Sequence, residues 1–350
     1  MAIIFAWFFI FPVKALAYDT NVAHPNIASL AADLYNQNFS EKLTAEEIDW
    51  IKQGAVDEDT PTRWLNHFYD PVHNLGLKGQ YLSAKDWVGD YNAQRNFSLG
   101  DQSWPRALDD LRKGNRELAF KELGHAIHLI SDMAVPAHTR DDIHALPQDS
   151  YEQFVKNNWS KISTNFGLSA VKVSNLSDAF DNLANFSNNN FYSDDTIKNK
   201  SFSIIKVTSA KTEQDVYGQY YVYSYNGNYR IFGSEENLDW QYRIKNKTIR
   251  GDFVDDSYVL TDYAQHLIPK AVGYSAGMIK LFMDEAKKDE KTDLPTFRMT
   301  LRGLADRVVG AVIAGAEQLY DSLKSKTAPV SLAQSGGTMS ENNQAPNPNN

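Results

Sequence analysis

The chain has 350 residues, 42% of them hydrophobic and 12% aromatic, enough for a substantial core in one large domain or two ordinary ones, so disorder of the whole chain is excluded. Charged residues make up 23% and leave a formal net charge of -9, which excludes a global basic field and makes any recognition of phosphate a local matter. Cysteine is absent, which removes disulfides, thiolate nucleophiles and cysteine-ligated zinc, so a metal site has to be built from His, Asp, Glu and backbone groups.

In chain order, residues 1–13 are almost wholly apolar, and Ala15-Leu16-Ala17 supplies the small-x-small pattern that signal peptidase accepts. Residues 1–17 therefore read as a signal peptide, with a mature chain that starts at Tyr18 and is secreted or periplasmic. The apolar run is too short to span a bilayer comfortably, with an uncleaved membrane anchor as the alternative to a signal peptide, and no other stretch approaches the roughly 20 residues a span needs. Helical spacing then marks 26–36, 45–54, 104–114, 117–135, 150–166, 259–287 and 296–324. On spacing alone the acidic run Asp57-Glu58-Asp59 is a solvated helix end, and His24 is a capping or surface residue ahead of the first helix. The Asn-rich stretch 182–199 reads as a loop leading into a β insertion at about 203–245. There Tyr221-Val222-Tyr223-Ser224-Tyr225, Asn226-Gly227 and Tyr229 to Phe232 carry a hairpin signature. From residue 326 onward the composition is that of a disordered tail. The expected architecture is an all-α, multi-helix domain over 18–325 with a small β-hairpin insertion.

Eight histidines are present, and His125, His128, His138 and His144 are crowded together. From Leu123 to Ala137 the sequence is apolar except at His125, His128, Ser131 and Asp132, so this helix has to be buried nearly all round. At helical spacing His125, His128 and Asp132 share one stripe, and buried polar groups require partners. A His and an Asp four residues apart can each turn a lone pair to one cation, leaving the second carboxylate oxygen for another. Pro136 ends the helix and turns the chain so that His138 points back to the same space. Histidine and carboxylate without thiolate suits catalytic rather than structural zinc. Glu152 opens a later helix as Asp149-Ser150-Tyr151-Glu152, where Asp-x-x-Glu is equally a capping box.

The run Leu123-Gly124, His128, Asp132, Pro136 and His138, followed by Tyr151-Glu152-Gln153-Phe154-Val155, resembles the zinc-dependent phospholipase C family and its relatives, the fungal single-strand nucleases. Asn66-His67-Phe68-Tyr69-Asp70-Pro71 is similar to the family's His-Phe-Tyr-Asp-Pro segment, Gly54 followed by Asp59 fits its upstream aspartate, and 264–282 looks like its final core helix. The resemblance covers Tyr18 to about Lys287 apart from the β insertion. It implies up to three zinc ions: one on Asp59, His67, His128 and Asp132, one on His138, Glu152 and a further ligand, and one on the Tyr18 terminus, His24 and the other oxygen of Asp132. Gln148 stands where that further ligand, a histidine, is expected, so His144 is the first candidate for the place and Asp149 the second. His125 occupies a position that is apolar in the family and is left out of the set.

What the resemblance implies for function is a zinc-dependent phosphodiester hydrolase, most like phospholipase C, in which zinc-activated hydroxide attacks phosphorus in line and Asp59 and Asp132 are catalytic. Three dications against three carboxylates would bring the local positive charge that the acidic chain lacks. Phospholipid or another small phosphodiester is the expected substrate, with no stable nucleic-acid partner and a monomeric state. Any peripheral membrane contact falls to the tyrosine-rich hairpin, whose plainer role is to cover the helices. A single-strand nuclease and a non-catalytic zinc-stabilised binding module are the alternatives.

Overall fold

The computed structural model describes residues 21–143, 149–197, 199, 201–202, 204–214, 220–234 and 252–288. Tyr18, His144, the signal segment, the helix expected at 296–324 and the tail lie outside the described residues. The helices are α1 (Ala23–Asn38), α2 (Ala45–Asp57), the single turns α3 (Ala84–Trp87) and α4 (Tyr91–Gln94), α5 (Trp104–Arg112), α6 (Arg116–Asp132), the turn α7 (Pro136–Thr139), α8 (Ser150–Ile162), α9 (Leu176–Asn190) and α10 (Ser257–Ala286). The strands β1 (Val207–Gln214), β2 (Tyr220–Ser224), β3 (Arg230–Ser234) and β4 (Asp252–Phe253) form one antiparallel meander in the order β1-β2-β3-β4. The fold is therefore all-α with a small sheet inserted between α9 and α10. Among the described residues no helix is long and apolar enough to cross a membrane.

Helix α6 is the axis of the core. Its residues from Leu123 to Asp132 are all buried, and α1, α2, α5 and α10 pack round it. The approach of α2 to α6 is set by two glycines. A Cβ on Gly124 would come 2.2 Å from the Ile51 carbonyl oxygen and 2.8 Å from Gly54 Cα, so only glycine allows the two backbones so close. At its other end α2 starts on a capping box in which Thr44 and Glu47 exchange side-chain and backbone hydrogen bonds.

Two readings of the sequence need correction. The Asn-rich stretch 182–199 is not a loop throughout, because α9 runs through it to Asn190. Ala179, Phe180, Leu183, Ala184 and Ser187 line its buried face, Asn175 caps its first turn, and most of the asparagines lie off that face. Asparagine's modest helix cost is outweighed by burial of that stripe. The expected hairpin is present as β2 and β3, with Gly227 in the left-handed region of its turn (φ 67°), and it belongs to a larger meander than a lone hairpin. The sheet docks on α10: the Tyr263 hydroxyl donates to the Ile231 carbonyl at 2.6 Å and Arg230 pairs with Asp262 at 3.0 Å.

Candidate metal centre

The C-terminal half of α6 carries the centre. His128 lies where α2 approaches most closely, and its Nδ1 donates to the Ala55 carbonyl at 2.6 Å. That bond fixes the tautomer, because an imidazole donating from Nδ1 keeps its Nε2 lone pair for the other side. Four residues on, Asp132 is fully buried. Among the described residues no donor reaches either of its oxygens in hydrogen-bonding geometry. Instead, imidazoles ring them: His67 Nδ1 at 3.2 Å, His128 Nε2 at 3.3 Å and His138 Nδ1 at 3.7 Å from Oδ2, with His24 Nε2 at 3.4 Å from Oδ1.

Each partner arrives by an identifiable route. His24, in the first turn of α1, stacks on His128 with ring centroids 3.6 Å apart. Its Nδ1 lies 2.9 Å from Ser131 Oγ, and that hydroxyl already donates to the His128 carbonyl at 2.8 Å. Ser131 can therefore only accept from His24, which leaves the Nε2 lone pair of His24 turned to Asp132. His67 follows a short 3-10 turn, Arg63–Asn66. Its neighbours anchor it: Phe68 lies against His138 at 4.6 Å between ring centroids, Tyr69 N donates to the His138 carbonyl at 3.0 Å, and Asp70 Oδ1 accepts from Val72 N at 2.8 Å. The His-Phe-Tyr-Asp-Pro segment is thus a clamp that seats His67 and His138 together. His138 reaches Glu152 through Nε2, 3.4 Å from Oε1. Asp149 Oδ1 caps α8 by accepting from Glu152 N at 3.0 Å, and the Glu152 carboxylate faces His138.

The atoms turned inward fit a cation. Two ligands about 2.0–2.2 Å from a tetrahedral zinc stand about 3.3–3.6 Å apart. Asp59 Oδ1, His67 Nδ1, His128 Nε2 and Asp132 Oδ2 are separated by 3.2, 3.3, 3.3, 3.6 and 3.7 Å over the five pairs in contact. His24, Asp59 and His128 form a second such group, and Asp132 Oδ1 opposite His24 offers its remaining oxygen there. The electrostatics ask for positive charge. Burial alone would raise the Asp132 carboxyl, but the imidazoles of His128 and His138 outweigh it and hold it well below the usual carboxylate range. Burial likewise opposes charge on His67, yet Asp132, Glu58 and Asp59 together hold it up at about 9. His24 goes the other way, driven well below the ordinary imidazole value first by burial and then by His128.

Of the residues singled out in the sequence, the structure brings together His24, Asp59, His67, His128, Asp132, His138 and Glu152. His125 sits one turn earlier on α6, and its Nδ1 meets Glu58 Oε2 at 2.5 Å instead of the cluster. Glu58 corrects the reading of 57–59 as a solvated helix end. It is fully buried and bound by Arg63 Nε at 2.8 Å, Arg63 Nη2 at 2.7 Å and Trp87 Nε1 at 2.9 Å. Nothing local in Asp57-Glu58-Asp59 distinguishes Glu58, because its partners come from elements packed against it. Ser131 was legible in principle, as a polar break in an apolar helix.

No family model and no curated protein matches the sequence. Among solved structures, the chain is similar to the alpha toxin of Clostridium absonum, with 14% identity, a TM-score of 0.44, and 78% of this chain and 67% of that one covered. It is also similar to the alpha-toxin of an avian strain of Clostridium perfringens, with 13% identity, a TM-score of 0.38, and coverage of 79% and 66%. The chain thus spans about two thirds of the length of these toxins.

Proposed function

We propose that this chain is a secreted zinc-dependent phosphoric diester hydrolase that cleaves phospholipids in the manner of phospholipase C. The observation that carries the proposal is the group of three buried ligand atoms from His67, His128 and Asp132, 3.2–3.3 Å apart, with Asp59 Oδ1 beside the two imidazoles at 3.6 and 3.7 Å. The donor set of imidazoles and carboxylates without thiolate supports zinc in catalytic use. His24 and Asp132 Oδ1 would hold a further ion, and His138 with Glu152 another. Zinc in such a centre supplies polarisation of phosphoryl oxygens and acidification of water towards neutral pH.

The chain's own groups do the rest. Asp132 offers Oδ2 on the side of His67 and His128 and Oδ1 on the side of His24, and would help to hold an ion on each. Asp59 is the least buried of the seven residues, and its role in this reading would be to orient the attacking water and take its proton. Ala55 and Ser131 set the tautomers of His128 and His24, so both imidazoles present lone pairs without rearrangement. The substrate assignment is supported by the net charge of -9, which gives the chain no global basic field to attract a nucleic-acid backbone. On the sheet, Tyr225 at the hairpin turn is 72% exposed and is the side chain we assign to contact with a membrane surface.

The test is metal analysis of the full-length chain together with assays on a phosphatidylcholine analogue and on single-stranded DNA, before and after chelation. Bound zinc and turnover of the phospholipid that is lost with chelator and regained with zinc are expected. Turnover of DNA alone would replace the reading by a nuclease, zinc without turnover of either would make the chain a binding module, and absence of zinc would overturn the metal centre.

A further inference from the structure

Beside the metal centre lies a second buried cluster that the proposed chemistry does not use. Glu58 Oε2 accepts from Arg63 and His125, and Oε1 accepts from Trp87. Arg63 is itself fully buried and tied down further, donating from Nη2 to Gln94 Oε1 at 2.9 Å and from Nη1 to the Gly100 carbonyl at 3.1 Å. Gln94 in turn donates from Nε2 to the Trp87 carbonyl at 2.6 Å. Arg63 and the Trp87 backbone, on two sides of the Glu58 carboxylate, are thus tied to one another through Gln94, which fixes the plane of the carboxylate.

The Oε1 side of this clamped carboxylate also faces the metal centre. Glu58 Oε1 stands 3.7 Å from His67 Nε2, an ion-pair rather than a hydrogen-bond separation. The other nitrogen of His67, Nδ1, is the one among the inward atoms, 3.2 Å from Asp132 Oδ2 and 3.3 Å from His128 Nε2. A neutral imidazole that gives its Nδ1 lone pair to a cation carries its hydrogen on Nε2, and a carboxylate beyond that hydrogen selects the tautomer and ring orientation.

We propose that Glu58 is a positioning residue of the metal centre, its clamped carboxylate holding His67 with Nε2 protonated and Nδ1 turned to the cation. This rests on the reading of the histidine cluster as a metal centre, though not on the choice of substrate. Arg63 and Trp87 then belong to the site as well, one residue removed: they hold the carboxylate in place and aimed.

Two measurements on the full-length chain test it. Zinc affinity is read by competition with a chromophoric chelator for the wild type, for Glu58→Gln combined with Arg63→Met so that no guanidinium is left buried alone, and for the same pair in a His67→Ala background. One zinc is expected to bind about 10–100-fold more weakly in the double variant, with little further loss once His67 is gone. Unchanged zinc affinity, or an equal loss without His67, would overturn the proposal. Independently of any variant folding, 15N-histidine spectra of the zinc-loaded wild type are expected to place the His67 proton on Nε2, and a proton on Nδ1 would overturn it. A wild type that binds no zinc sinks both readings. Zinc bound with the Glu58 dependence intact but no phosphodiester turnover sinks the enzyme alone.

Discussion

Two buried polar clusters meet along one side of α6, and they solve the problem of burial in opposite ways. Around Glu58 each carboxylate oxygen has a donor at 2.5–2.9 Å, supplied by Arg63, Trp87 and His125. Around Asp132 the nearest groups are imidazole nitrogens at 3.2–3.7 Å, and neither oxygen has a hydrogen bond among the described residues. A buried carboxylate is tolerable only when positive charge or donors compensate its desolvation. The Glu58 carboxylate is closed by hydrogen bonds to Arg63, Trp87 and His125, whereas the Asp132 carboxylate is ringed by imidazoles at ion-pair distance, the arrangement that the proposed metal centre would use. A third case lies farther up α6, where the buried Asp110 and Glu122 share Arg106, at 2.7 and 3.4 Å. One guanidinium does not serve two carboxylates, and burial first, then Asp110, pushes the Glu122 carboxyl up to about 8. There the missing positive charge is supplied by a proton.

The contrast is tested most strongly by Asp132→Asn. It removes one of the two oxygens that would serve neighbouring ions in the proposed centre, so zinc affinity should fall by more than the about 10–100-fold that loss of an outer partner costs, and phosphodiester turnover with it. Metal content and activity close to wild type in this variant would break the distinction between the clusters. Next in size is Glu58→Gln alone. By stranding Arg63 in the core it should cost the metal-free protein about 3–5 kcal/mol in denaturant unfolding, most of it recovered when Arg63→Met is added. A cost unchanged by the second substitution would show that the Glu58 cluster is not a self-contained pair.

A backbone change sharpens the comparison from the other side. Gly124→Ala places a Cβ 2.2 Å from the Ile51 carbonyl oxygen, so α2 and α6 have to part. About 1–3 kcal/mol of stability should be lost, and zinc affinity should drop as well, since Asp59 and His67 follow α2 while His128 and Asp132 stay on α6. The smallest effect is expected from Glu122→Gln. An unfolded glutamate ionises near 4.5 but the folded one near about 8, so between these values the folded chain keeps a proton that the unfolded chain has lost, and stability declines as pH rises. The substitution should remove that slope, so that the variant gains stability over the wild type as pH rises from 4 to 8, with little change at pH 4. Unfolding midpoints across this range decide it.

Much of this was legible in the chain itself. The apolar run interrupted only by His125, His128, Ser131 and Asp132 announced a buried helix with a polar stripe, and helical periodicity located α1, α2, α5, α6, α8 and α10 to within a few residues at most ends. Their periodicity is local, imposed by the one face each helix has to bury. Helix α9 was hidden because its outward asparagines mask a regular apolar face. In the acidic run 57–59 three carboxylates of nearly identical local character take different places: Asp57 is only partly buried, Glu58 is locked to Arg63, and Asp59 faces the histidines.

The sequence by itself determined the helical class, the hairpin, the absence of thiol chemistry and the candidacy of the histidine and aspartate residues, because each of these is a matter of residue type and short-range spacing. Only the tertiary structure decided which of those groups face one another. His125 and His128 lie three residues apart on one helix, yet one pairs with a carboxylate already held by Arg63 and the other faces a carboxylate ringed by imidazoles. That division is made by the close crossing of α2 at Gly54 and Gly124, and contacts between segments so distant in the chain leave no trace in the local pattern.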